Sequence, residues 1–85
     1  DRLVDLSFLK QGKAEVMEIV VADHAPVIGK PLRIAGLPAK ALIGTIIRGD
    51  QIIIPHGNSE IRPKDRVIAF CHADSAAQLQ KALGL

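Results

Sequence analysis

Aromatic side chains are nearly missing from this sequence: it holds two phenylalanines, Phe8 and Phe70, and no tyrosine or tryptophan. A core without rings has to be filled by Ile, Leu, Val and Ala, which suits a sheet. A surface without rings offers no platform on which the bases of a single-stranded nucleic acid stack. Cysteine is as scarce. Cys71 stands alone, so no disulfide forms within the chain, no four-ligand Cys/His spacing for zinc exists, and a reducing compartment is expected. No apolar run approaches the roughly 18 residues of a membrane span, and no basic start with a small-residue cleavage site marks a secretion signal. An excess of one charge is missing too. Eleven Lys and Arg against nine Asp and Glu leave +2 at neutral pH, too small and too evenly mixed for the phosphate neutralisation that dominates nucleic-acid affinity.

What remains is aliphatic: hydrophobic residues make up 48% of the 85 positions. A chain of this length forms one domain and buries only about 60% of the surface its unfolded form exposes, so its stability is marginal without a partner and a dimer is expected. The sequence opens on Asp1, and its first clear strand pattern comes near Ala14. Residues 1–13 are therefore read as a connecting arm from an upstream domain, and residues 14–85 as the folded domain. The arm's Leu3, Val4, Leu6, Phe8 and Leu9 fit neither a two-residue nor a 3.6-residue period, and are expected to bury against a neighbour or a second copy.

From Ala14 to Val21 the β-branched content predicts a strand, with Met17, Ile19 and Val21 on one face, and Val16 and Val20 on the other, which Glu18 interrupts. Gly29-Lys30-Pro31 then predicts a short helix stopped by Gly36 before Pro38, with Leu32 and Ala35 turned inward. Ala41–Arg48 and Gln51–Ile54 are β-rich runs separated by Gly49-Asp50, a two-residue hairpin signature in which Gly takes the positive φ. The Arg48-Gly49-Asp50 triplet thus has a backbone reason to exist, apart from any role as an adhesion signal. Pro55–Ser59 and Pro63-Lys64-Asp65 predict turns, with a short bridge at Glu60–Arg62 between them. Arg66–Cys71 is apolar on both faces and reads as a central strand. Ser75-x-x-Gln78 reads as a capping box opening an amphipathic helix that carries Ala76, Leu79 and Leu83 and stops at Gly84. The expected fold class is α+β: a small, mostly antiparallel sheet, a short helix after the first strand, and a closing C-terminal helix.

Catalysis finds little foothold. His24, His56 and His72 have no Cys or His companion at ligand spacing, and Cys71 and His72, adjacent on a strand, point to opposite faces. That excludes a Cys-His proton pair between those neighbours. Glu15/Glu18 and Asp65/Asp74 are the conceivable carboxylate pairs, and neither spacing specifies an acid-base dyad. The glycines show no phosphate-loop spacing. Lys30, Arg33, Lys40 and Arg48 are the cations near the short helix and second strand, available to a phosphate-bearing ligand or to a partner's acids. Gly44, inside a strand, marks either a bulge or the close approach of another backbone.

The segments AEVMEIVV, VIGKPLRIAGLP and ALIGTIIRGDQIIIPHGNSEIRPKDRVIAF, followed by the closing helix, resemble the TrkA C-terminal domain, also called the RCK C-terminal domain, over about residues 14–83. The resemblance implies a non-catalytic regulatory module of a potassium channel, an uptake system or a cation antiporter, cytoplasmic and peripheral to the inner membrane through its transporter. It implies a homodimer partnered with a membrane potassium transporter or channel subunit, no nucleic-acid partner, no insertion into the membrane, and no cofactor within this domain. NAD or another nucleotide is expected in an upstream domain. In some members the cleft between paired domains binds cyclic di-AMP. On this chain that cleft would be bordered by Leu37, Pro38, Ala39, Lys40, Ala41, Leu42 and Ile43, where Lys40 is the one charge in place of the family's arginine and further polar groups. The residues alone leave other classes open: a stand-alone small β domain binding an oxyanion or nucleic acid, or a fragment of an enzyme whose catalytic groups lie elsewhere.

Overall fold

The computed structural model describes residues 3–85. Its strands are β1 (Leu3–Leu9), β2 (Ala14–Val20), β3 (Ala41–Arg48), β4 (Gln51–Ile53) and β5 (Arg66–His72), and helix α1 spans Ala76–Ala82. The strands form one antiparallel sheet in the order β1-β2-β5-β3-β4. The α+β expectation holds, and β5, apolar on both faces, is the central strand.

One face of the sheet is closed. Met17 and Ile19 of β2, Ile43 and Ile46 of β3, and Val67 and Ala69 of β5 pack with Val27 and Ile61 from the loops and with Leu79 and Leu83. Helix α1 buries Ala76, Leu79 and Ala82, a stripe at three-residue spacing that seats one side of a short helix on the sheet. Its end is a Schellman turn. Gly84, at φ +92°, donates its N–H to the Lys81 carbonyl at 3.1 Å, while Leu85 N–H reaches the Gln80 carbonyl at 2.9 Å, so the last carbonyls of the helix find donors.

The opposite face is open. Alternation along β2, β5 and β3 puts Val16, Ile68, Phe70 and Leu42 there, with Ile52 beside them on β4. Leu42, Phe70 and Ile52 are 64%, 42% and 72% exposed.

Three expectations change and one alternative is resolved. The first strand begins earlier than Ala14: residues Leu3–Leu9 form an edge strand on β2, with Leu6 opposite Met17, Leu9 opposite Ala14 and a register shift between Leu3 and Asp5; backbone pairing with a neighbour orders a segment whose side-chain period is irregular. The Asp1 and Arg2 of the arm lie outside the described residues. The short helix after the first predicted strand is only a 3-10 turn, Leu32–Ile34, because Pro31 and Gly36 leave too few residues for a second turn; Ala35 is nonetheless buried and Leu32 packs on the core. The capping box does not form. Ser75 has helical backbone angles and no side-chain cap bond, since the chain already winds through a 3-10 turn, Ala73–Ser75. Of the two readings of Gly44 the bulge holds: the β3–β5 register shifts between Ile43 and Thr45, and a Cβ on Gly44 would lie 2.6 Å from the Phe70 ring. The close approach comes from the chain's own aromatic group.

Candidate functional site

The hairpin forms where the sequence places it, with positive φ at Gly49 and not at Asp50, the pattern of a type II′ turn. Arg48, at the end of β3, turns back onto the protein. Its Nε–H donates to Asp65 Oδ1 at 2.9 Å, and its Nη2 donates to Asp65 Oδ2 at 2.8 Å and to the Glu60 carbonyl at 3.0 Å. Asp65 is 2% exposed and also accepts the Arg62 N–H at 2.9 Å. The hydrogen bond to Asp65 holds the Arg48 proton more tightly than in a free arginine. A receptor for the Arg-Gly-Asp triplet would therefore meet Asp50 without its arginine, and the triplet belongs to the hairpin.

The remaining candidates separate. Cys71 is buried on the helix side while His72 is exposed, and burial, with the nearby Glu15 and Asp74 carboxylates, pushes the Cys71 thiol above its ordinary range. Glu15 and Glu18 stand on opposite faces; Glu18 pairs with Arg66 at 3.2 Å and Asp65 with Arg48, so neither carboxylate dyad exists. Among the described residues no three His, Cys, Asp or Glu side chains gather around a common point, and no helix is long and apolar enough to cross a membrane.

One concavity takes in part of the Leu37–Ile43 segment. A groove of about 330 Å³ runs between the 3-10 turn, the start of β3 and the Pro55–Ser59 turn, lined by Leu32, Arg33, Leu37, Pro38, Ala41, Leu42, Ile43, Pro55, His56 and Gly57. Five of the seven residues anticipated there, Leu37, Pro38, Ala41, Leu42 and Ile43, form its wall. Ala39 and Lys40 do not; Lys40 lines a separate apolar hollow of about 230 Å³ with Leu9, Leu42, Phe70 and Cys71. The groove's polar groups come from elsewhere. Arg33 enters from the 3-10 turn and His56 from the following loop, two positions that sequence reasoning had not joined to the wall.

Backbone hydrogen bonds make the two sides of the groove one unit. Leu32 N–H donates to the Ser59 carbonyl at 2.9 Å and Arg33 N–H to the Gly57 carbonyl at 3.0 Å, beside a bridge between Pro31 and Glu60. Within the loop, His56 N–H donates to Ser59 Oγ at 3.0 Å. The outcome is a small apolar slot with two cationic or hydrogen-bonding side chains at its rim, the make-up of a small-molecule site.

The described residues thus form a five-stranded open sheet with one exposed apolar face and a rimmed slot. Comparison with known proteins identifies the family. Residues 16–84 match the TrkA-C domain, and the chain belongs to that family. It is 33% identical over 76 residues to Trk system potassium uptake protein TrkA homolog 1 of Methanosarcina mazei, covering 89% of this chain and 17% of that protein. It is 31% identical over 81 residues to Trk system potassium uptake protein TrkA of Mycobacterium tuberculosis, covering 95% of this chain and 37% of that protein. The chain thus spans well under half the length of these relatives. A solved structure described as an RCK domain with cda superimposes with a TM-score of 0.69 at 25% identity, over 80% of this chain and 96% of that one.

Proposed function

We propose that this chain is a regulatory, non-catalytic unit of a potassium transport system, acting in the cytoplasm as a dimer that senses a small ligand and transmits the result to a membrane transporter or channel subunit. The observation that carries the reading is the groove. In a chain of the TrkA-C family it gathers the wall Leu37, Pro38 and Ala41–Ile43 with Arg33 and His56 at its mouth, a donor set that fits a phosphate-bearing nucleotide with an apolar face. Cyclic di-AMP is the ligand proposed. An upstream domain holding NAD or another nucleotide is part of the same proposal, and nothing within residues 3–85 is assigned to it.

Regulation of this kind works by linkage: a ligand shifts a transporter only by its difference in affinity between two arrangements of the module. The exposed sheet face offers a second arrangement, because a second copy seated on Leu42, Phe70 and Ile52 would remove apolar surface that is otherwise in water. A stand-alone nucleic-acid module is disfavoured, since that face carries one aromatic ring, Phe70, and no run of cations. The test is a thermal-shift and sedimentation series on the purified chain. Self-association at micromolar concentration and a rise in Tm with cyclic di-AMP are expected. A monomer whose Tm is indifferent to cyclic di-AMP would overturn the proposal.

A further inference from the structure

We infer that Asn58 is the positioning residue of the groove, and that through it Arg33 and His56 are presented together as the contact for an anionic group, a phosphate or pyrophosphate, on whatever ligand the slot receives. The inference rests on the reading of the groove as a ligand site and adds to it the residue that organises the polar rim.

The geometry is specific. Asn58 Oδ1 accepts the Arg33 Nε–H at 3.1 Å, and the Asn58 backbone N–H donates to His56 Nδ1 at 3.2 Å. One residue therefore holds both rim side chains, the first by its side chain and the second by its backbone. Each bond also decides what is left over. With Nε committed to Asn58, the two terminal nitrogens of Arg33 have no protein partner among the described residues, so the outer fork of the guanidinium is free for a bidentate anion. With Nδ1 accepting, a neutral His56 carries its proton on Nε2, which leaves a donor there and not an acceptor.

Gly57 completes the arrangement. A Cβ at Gly57 would come within 3.4 Å of Arg33 Cβ, 3.8 Å of its Cδ and 3.9 Å of its Cγ, so the arginine stem lies directly across the turn at a position that has no side chain. The stem is thereby steered along the turn toward Asn58. Glu60, the acid nearest in sequence to this turn, lines the neighbouring hollow together with Arg48, Arg62 and Asn58 itself, and is not part of the groove lining. Among the described residues that line the groove, none is acidic. An anion entering it meets no opposing carboxylate on the wall.

The test combines pyrophosphate and cyclic di-AMP as probes with a double-mutant cycle on the 85-residue chain. Binding is followed by calorimetry and by 15N NMR of the Arg33 Nε–H and the His56 ring nitrogens. Pyrophosphate should perturb both side chains. Asn58→Ala and Arg33→Gln should each weaken pyrophosphate binding by about tenfold, as the loss of a charge-assisted hydrogen bond does. The double variant should be no weaker than Arg33→Gln alone, because Asn58 acts through the arginine. Asn58→Ala should leave Tm unchanged, since the bond is exposed. Additive losses, or a wild-type affinity in Asn58→Ala, would overturn the positioning role. If pyrophosphate binds as described and cyclic di-AMP does not, the nucleotide reading falls and the anion contact stands. If cyclic di-AMP binds equally well to the wild type, Asn58→Ala and Arg33→Gln, the anion contact falls and nucleotide sensing stands. Binding of neither probe defeats both.

Discussion

Arg48 shows how far one side chain's role depends on a partner distant in sequence. From its neighbours alone it is the last residue of a strand before a tight turn. In the fold it neutralises Asp65, seventeen positions on, through a two-pronged ion pair, and ties the β3 end to the Glu60 carbonyl. Removing it strands a carboxylate that is almost wholly out of water. Arg48→Ala should cost about 3 kcal/mol of stability in urea unfolding, because an uncompensated buried charge is left behind. Asp50→Ala, at the exposed turn, should change stability by only a few tenths of that, and a similar loss from both would refute the assignment. The glycine and proline punctuation that located this hairpin is local physics, legible in the residues themselves. The Arg48–Asp65 pair is not, since nothing in the spacing of a charge says which of eleven cations and nine anions will meet. The same holds for the rim of the groove. The family resemblance marked Leu37–Ile43, of which Leu37, Pro38 and Ala41–Ile43 line the groove, whereas Arg33, His56 and Asn58 come together only when the turn at Pro55–Ser59 folds against the turn at Leu32–Ile34.

At the scale of elements, strands were more legible than helices. β2, β3 and β5 announce themselves by branched side chains and by the turn residues that bound them. β1 does not, because an edge strand takes its order from the backbone of its neighbour and bears a bulge that scrambles its period. The predicted helix at Pro31–Gly36 was too short to outlast the prolines and glycines that framed it, and the sequence motif at Ser75–Gln78 names a cap that a preceding 3-10 turn makes unnecessary. Helix α1 is consequently held by packing and by its Schellman end. Ser75→Ala should shift stability by less than about 0.5 kcal/mol, whereas a hydroxyl that capped the helix would be worth about 1 kcal/mol. Leu79→Ala, which empties a fully buried site beneath the helix, should cost about 3 kcal/mol. Chemical denaturation of the two variants side by side separates these accounts, and a large effect at Ser75 would restore the cap.

The whole molecule is asymmetric in its wetting. One side of the sheet holds the core and the helix, while the other presents Leu42, Phe70 and Ile52 to solvent. Phe70 is seated against the glycine bulge of β3, which fixes its ring at the centre of this face. If a second copy covers the face, Phe70→Asp should abolish self-association in sedimentation velocity while leaving the far-ultraviolet circular dichroism intact, because the substitution adds charge where no core contact is lost. An unchanged sedimentation profile would place the dimer elsewhere.

Leu42 stands at the junction of two surfaces. It is paired with Phe70 across the strands and also lines the groove that holds Arg33 and His56, so a single isobutyl group is shared masonry between two rooms. Trimming that group by Leu42→Ala would therefore widen the slot and thin the open sheet face at one stroke.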